Sequence, residues 1–155
     1  MRGPGVEWRW RWCLVDAKRI LIVANQTAAG SHLKGEVRKR LEEGPCRFTL
    51  LVPATPPREH AVWTDEEAYE LAGKRLGVAM EGLAGLGAEI RGVVGDPSPI
   101  AAIGDELITS NYDEIILSTL PPGASKWLKQ DLPHRVERRF NIPVTHLSSE
   151  PAAVV

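Results

Sequence analysis

An apolar run with no polar alternation is the strongest constraint in this chain. Residues 20–24 read Ile-Leu-Ile-Val-Ala. Successive side chains of a β-strand point to opposite faces, so this run presents apolar groups on both faces and both must be covered. Helices on each side of a parallel sheet supply that cover. Further strand-like runs follow at Arg47-Phe48-Thr49-Leu50-Leu51-Val52, Glu89-Ile90-Arg91-Gly92-Val93-Val94, Glu114-Ile115-Ile116-Leu117 and residues 142–147. Between them, apolar residues recur at helical spacing: Leu33, Val37 and Leu41; then Ala68, Ala72, Leu76, Ala79, Leu83 and Leu86; then Ile100, Ile103, Leu107 and Ile108. A charged amphipathic helix precedes the last run. The pattern β-α-β-α-β-α-β-α-β predicts a single α/β domain built on a five-stranded parallel sheet with helices on both faces. The third strand is the least apolar, which places it near a sheet edge.

Local signals set the boundaries. Gly44-Pro45 closes the first helix, and Pro53, Pro56 and Pro57 stop the second strand. Thr64-Asp65-Glu66-Glu67 reads as a capping box. Gly87 suits a C-cap. In Gly95-Asp96-Pro97-Ser98-Pro99, Asp96 is the expected N-cap and Pro97 the expected first helical residue. Gly73, Gly77, Gly82 and Gly85 each cost a helix about 1 kcal/mol relative to Ala. Close packing on the sheet is the expected compensation.

Composition sets the outer limits. A length of 155 residues suits one domain with a full core, and 43% hydrophobic with 25% charged residues argues against disorder. The net charge of -1 exerts no pull toward nucleic acid or an anionic membrane, so neither is an expected partner. No apolar run approaches the roughly 20 residues of a membrane span, and the N-terminus lacks the apolar core of a secretory signal. Cys13 and Cys46 match no metal or redox spacing. The expected location is therefore the cytoplasm. His32, His60, His134 and His146 never take the i, i+4 spacing of a helical metal pair, so no metal is expected. Residues 1–18 stand apart, with Trp8, Trp10 and Trp12 alternating with Arg9 and Arg11. They read as a disordered extension, with a two-faced strand and a membrane- or nucleic-acid-stacking arm as alternatives. Residues 19–148 form the domain and 149–155 a loose tail.

The stretch from Tyr112 to Leu147 carries the functional question. It reads as strand, loop, helix, strand. In parallel sheets, ligands sit at the carboxyl ends of strands, where a helix N-terminus suits an anion. Trp127 and Leu128 in this loop read as a buried anchor, with a lid or docking patch as the alternative. From Lys126 to Arg139, five Lys/Arg stand against Asp131 and Glu137, a local charge of +3. A solvated basic face is the ordinary meaning of such a run. Ser118 or Thr119 with His134 is the conceivable nucleophile–base pair, but no G-x-S-x-G elbow is present, and no catalytic residue is expected.

Four places in the chain resemble the universal stress protein family, over residues 18–148. Ile20-Leu21-Ile22-Val23-Ala24-Asn25 resembles its first strand, which commonly ends in Asp. Gly95-Asp96-Pro97-Ser98-Pro99-Ile100 resembles its Gly-x-Pro helix start. Tyr112-Asp113-Glu114-Ile115-Ile116-Leu117 resembles its fourth strand, and Asn141-Ile142-Pro143-Val144-Thr145-His146 its closing strand. The resemblance implies sheet order 3-2-1-4-5, a homodimer, and ATP or another adenine nucleotide as the possible ligand. The implied pocket residues are Ala24, Asn25, Gln26, Val52, Gly95, Ser118, Thr119, Gly123, Gln130 and Asp131. ATP-binding members carry G-x2-G-x9-G-[S/T] after the fourth strand. Here only Gly123 remains, the loop reads as one residue shorter, and the final pair falls on Gln130-Asp131. Asn25 replaces the first-strand Asp. Asp131 suits an N-cap but sets a carboxylate where a phosphate would lie, and Pro133 removes an N–H. With these departures, what the chain resembles is a divergent, actinobacterial-type member of that family. The expected function is a non-catalytic regulatory or ligand-sensing domain with a degenerate nucleotide site. The alternatives are a genuine nucleotide binder with an altered phosphate loop, and a dimeric interaction module working through the closing strand.

Overall fold

The computed structural model describes residues 17–55, 64–121 and 125–148. The expected extension (all but its last two residues), Gly123 and the expected tail lie outside them. The elements are β1 (Lys18–Val23), α1 (Ser31–Glu43), β2 (Cys46–Pro53), α2 (Asp65–Ala84), β3 (Glu89–Gly95), α3 (Pro99–Thr109), β4 (Glu114–Thr119), a short α4 (Lys126–Lys129), α5 (Leu132–Phe140) and β5 (Val144–Ser148). The five strands form one parallel sheet in the order β3-β2-β1-β4-β5. Both the parallel sheet and its order agree with expectation, and β3 lies at an edge.

The unalternating run accounts for the two-sided core. Ile20 and Ile22 face one layer, where they pack with Phe48, Leu50 and Ile116 beneath Leu33 and Val37 of α1 and Ala68, Ala72, Ala79 and Leu83 of α2. Leu21 and Val23 face the other, with Leu51, Ile115 and Leu117 beneath Ala102 and Ile103 of α3 and Leu132 and Val136 of α5. Each of the large aliphatic side chains buried here contributes about 2 kcal/mol. Trp127 is buried in this second layer and serves as an anchor for the segment before α5.

The helix boundaries confirm some signals and correct others. Thr64 accepts from the Glu67 N–H at 3.1 Å and the Glu67 carboxylate accepts from the Thr64 N–H at 3.3 Å, so the capping box is formed. At α3 the N-cap is Ser98, not Asp96, and Pro99 is the first helical residue rather than Pro97. Each residue before a proline is held extended, so the second proline postpones the helix by two residues. Asp96 instead accepts from the Ser98 N–H at 2.8 Å. The expected packing of the α2 glycines on the sheet is not what the structure shows: nothing approaches the Cβ positions of Gly73 or Gly77, and a Cβ on Gly82 would meet Lys34 Cε of α1 at 2.7 Å. Close approach occurs across the interface, at Gly92 of β3, where a Cβ would meet Leu76 Cδ1 at 2.9 Å.

The N-terminal edge of the sheet is tied by one buried carboxylate. Glu114 begins β4, and its side chain is 7% exposed. It accepts from Lys18 Nζ at 2.9 Å, from the Arg40 guanidinium of α1 and from the Thr145 hydroxyl of β5. Lys18, expected in the loose extension, thus belongs to β1 and to this cluster. Arg40 is also held by Glu36 at 2.8 Å. Burial alone raises the Glu114 pKa, but the bonds from Arg40, Thr145 and Lys18 outweigh it and bring the value from 4.5 down to about 2.

That shift sets an acid response. The folded value lies below the unfolded one, so the stabilisation is complete above about pH 4.5 and is lost as pH falls toward about 2. Glu114→Gln is expected to lower unfolding free energy by about 3 kcal/mol at neutral pH, because it leaves Arg40 short of a charge partner in a half-buried site. Urea unfolding measures this, and the variant should also lose much of the wild type's destabilisation in that acid window.

Candidate functional site

The carboxyl ends of β1 and β4 lie side by side at the point where the strand order reverses, with Val23 paired to Leu117. In open α/β sheets this crossover forms the ligand crevice. Seven of the ten expected pocket residues, Ala24, Asn25, Gln26, Val52, Gly95, Ser118 and Thr119, lie at the carboxyl ends of β1 to β4.

The polar side chains of Asn25, Ser118 and Thr119 are engaged with the protein itself. The Thr27 and Ser118 hydroxyls lie 2.6 Å apart across the crossover, 91 residues apart in the chain. Both are buried, at 2% and 1% exposure. Thr27 is held there by tight turns, with Ala28 N–H donating to Asn25 O at 3.2 Å and Gly30 N–H to Thr27 O at 3.0 Å. Asn25 is buried, and its side-chain N–H donates to Pro53 O at 2.6 Å. Its side-chain oxygen accepts from the Arg75 guanidinium of α2. The amide therefore links the ends of β1 and β2 to the helix above them. Val52 is fully buried in the core. Gly95 accepts from the Ala54 N–H at 2.9 Å. A Cβ on Gly95 would come within 2.8 Å of both Ala102 Cβ and Leu51 Cδ1, so its missing side chain lets α3 approach the sheet.

The other expected residues are placed differently. Ser118 and Thr119 belong to β4 rather than to the loop after it. Thr119 pairs not with His134 but with His146 of β5, Oγ1 to Nε2, at 2.8 Å, and also donates to Leu120 O at 2.9 Å. Burial lowers the His146 pKa. Gln130 and Asp131 are exposed. Asp131 occupies the N-cap position of α5 but makes no side-chain cap, and its carboxylate meets His134 Nδ1 at 2.8 Å instead. Asp131, His134, Glu137 and His146 share a groove of about 290 Å³ between α5 and β5. Among the described residues, no three of His, Cys, Asp and Glu converge as metal ligands.

Asp131 has φ 55° and ψ 40°, the left-handed conformation that favours glycine, whereas Gln130 has φ -95°. Counted from Ser118 with no deletion, the third glycine of G-x2-G-x9-G falls on Asp131 and the hydroxyl position on Leu132. On that count the left-handed residue stands where the pattern has its third glycine. Leu132 is buried in the second core layer.

Thr27, Arg75 and His146 were not singled out from the sequence as partners of the expected pocket residues. Each meets its partner only through tertiary contact, and none carries a local motif.

Comparison with known proteins agrees with the fold. No protein-family model matches the chain, and no curated protein matches it in sequence. Among solved structures, a universal stress protein in complex with cAMP superposes with a TM-score of 0.52 and 17% identity, over 84% of this chain and 96% of that one. The universal stress protein from Archaeoglobus fulgidus gives 0.57 and 14%, over 83% and 92%. A universal stress protein family member from Burkholderia pseudomallei gives 0.59 and 12%, over 85% and 96%. The likeness is one of fold.

The left-handed residue offers a direct test. Asp131→Gly is expected to leave stability unchanged or raise it by up to about 1 kcal/mol, while Asp131→Val lowers it by about 1–2 kcal/mol. Chemical denaturation of both variants measures the difference.

Proposed function

We propose that this chain is a non-catalytic regulatory or ligand-sensing domain, similar in design to universal stress proteins, whose nucleotide site is degenerate. The observation that carries this reading is the 2.6 Å contact between the Thr27 and Ser118 hydroxyls across the β1–β4 crossover. A phosphate-binding crevice needs backbone N–H groups open to the ligand and little side-chain bulk. Here two side chains fill the meeting point and bond to each other. Asn25, where the family commonly has Asp, has both ends of its amide engaged. The third glycine position is a carboxylate, and the hydroxyl position is a core leucine. All three changes oppose the binding of an adenine nucleotide.

The neighbour in complex with cAMP makes cyclic and linear adenine nucleotides the probes of choice. Calorimetric titration of the full chain with ATP and with cAMP is expected to give no micromolar binding. Ser118→Gly combined with Asp131→Gly opens the crossover and restores two glycines, and is expected to gain measurable affinity. Micromolar binding by the wild type would overturn the degenerate site.

Pairing of two copies along β5 belongs to the same reading. Among the described residues β5 ends the sheet, so its outer edge offers backbone groups to a second copy. Sedimentation at high protein concentration is expected to show a dimer, and a monomer there would exclude it.

A further inference from the structure

We propose that the groove between α3 and α5 is a second ligand site, which takes the phosphate chain of a small oligophosphate compound. The groove is shallow and open to solvent, has a volume of about 450 Å³, and is lined by Ile100 of α3 and by Arg135, Arg138 and Arg139 of α5. The three arginines are spaced i, i+3, i+4, so they lie on one helix face. All three are exposed.

Their charges are not neutralised where they stand. Among the described residues, no carboxylate lies within ion-pair distance of any of the three. Asp131 is bonded to His134, Glu137 lines the opposite groove against β5, and Asp96 accepts from the Ser98 N–H. Charge is thus sorted across α5, with its one acid, Glu137, and the N-cap residue Asp131 lining one groove and the three guanidiniums the other.

Complementing the helix dipole accounts for only part of this arrangement. Arg138 and Arg139 lie in the last turn, where a cation is favoured. Arg135 is the fourth residue of the helix, toward its positive end, where a cation is not. Its contact with Gln130 O is long, at 3.5 Å. Arg139 lies over the Phe140 ring at 5.8 Å, a cation–π arrangement that restricts its guanidinium.

The chemistry of the three side chains selects the ligand. Planar guanidinium forks match phosphate oxygens in pairs. From Arg135 to Arg139 the helix rises about 6 Å, so a chain of phosphates can engage successive forks where a single one cannot. Ile100 offers an apolar surface for the remainder of the compound. This site shares no residue with the β1–β4 crossover and stands whether or not that crossover binds a nucleotide.

Inorganic tripolyphosphate is the probe. Titration of the full chain in a low-salt, phosphate-free buffer is expected to give saturable one-to-one binding, followed by calorimetry and by NMR shifts of the Ile100 methyl and the arginine Nε–H groups. Thr27 and Ser118 signals should stay still. Arg135→Gln with Arg138→Gln should weaken binding at least tenfold. Arg135→Lys, which keeps the charge and loses the fork, should also weaken it. Non-saturating titration, undiminished binding by the double variant, shifts centred on Thr27 and Ser118, or tighter binding of an oligoglutamate peptide than of tripolyphosphate would each overturn the proposal.

Discussion

The register of this sheet depends on one carboxylate that is taken out of water. Glu114 has no solvent to share its charge, so donors must come to it. Three do: Lys18 from β1, Arg40 from α1 and Thr145 from β5. They belong to both strands that flank β4 and to the helix that covers them. A slip of β4 by one residue would turn Glu114 to the other face and leave its charge unpaired. The cluster therefore sets β1, β4 and β5 level with one another at their N-terminal ends. Levelling at one edge fixes the other edge too. Four and five residues further along β4, Ser118 and Thr119 arrive opposite Thr27 and His146.

The layers were legible from side-chain pattern alone. Residues 20–24 demanded cover on both faces, and Ile20/Ile22 and Leu21/Val23 divide between the two cores as alternation requires. The capping box at Thr64 was equally plain, because its partners are three residues apart. Contacts made at a distance were not legible. No local rule links Thr27 to Ser118 or Asn25 to Arg75. Where two local rules competed, the pattern misled. Asp96-Pro97 and Ser98-Pro99 are both acceptable helix starts, and the later one won because the residue before each proline stays extended. Asp131 has the composition of an N-cap but the backbone of a glycine position. Backbone sign at a single residue leaves no trace in composition.

Both ends of the sheet solve the same problem with different chemistry. At the N-terminal edge, a buried charge is matched by charges and a hydroxyl. At the carboxyl edge, among the described residues, no carboxylate takes part: hydroxyl meets hydroxyl and amide meets carbonyl, with the Arg75 guanidinium on the Asn25 oxygen as the one charged donor among these bonds. Each neutral bond here can be opened at modest cost, because a typical hydrogen bond contributes only about 1 kcal/mol net. The edge where folds of this kind bind their ligands is thus also the edge whose side-chain bonds are cheapest to exchange. The likeness to solved stress proteins reaches the fold, and the chemistry of this edge belongs to the chain's own residues.

Strand order also dictates when the sheet can be completed on a growing chain. β1 finds β2 soon after both are made, yet its other edge is reserved for β4. The bond between Arg19 N–H and the Asp113 carboxylate joins residues 94 apart. At ordinary rates of synthesis, that separation corresponds to roughly 5–20 s. Throughout that interval, one of the most apolar strands in the chain presents an open edge. Its early partners, α1, β2 and α2, cover one face only, since α3 and α5 are made later. A nascent chain of this order is therefore most vulnerable to misassociation before β4 is made, and holding it apart during those seconds is a task for the cell's chaperones.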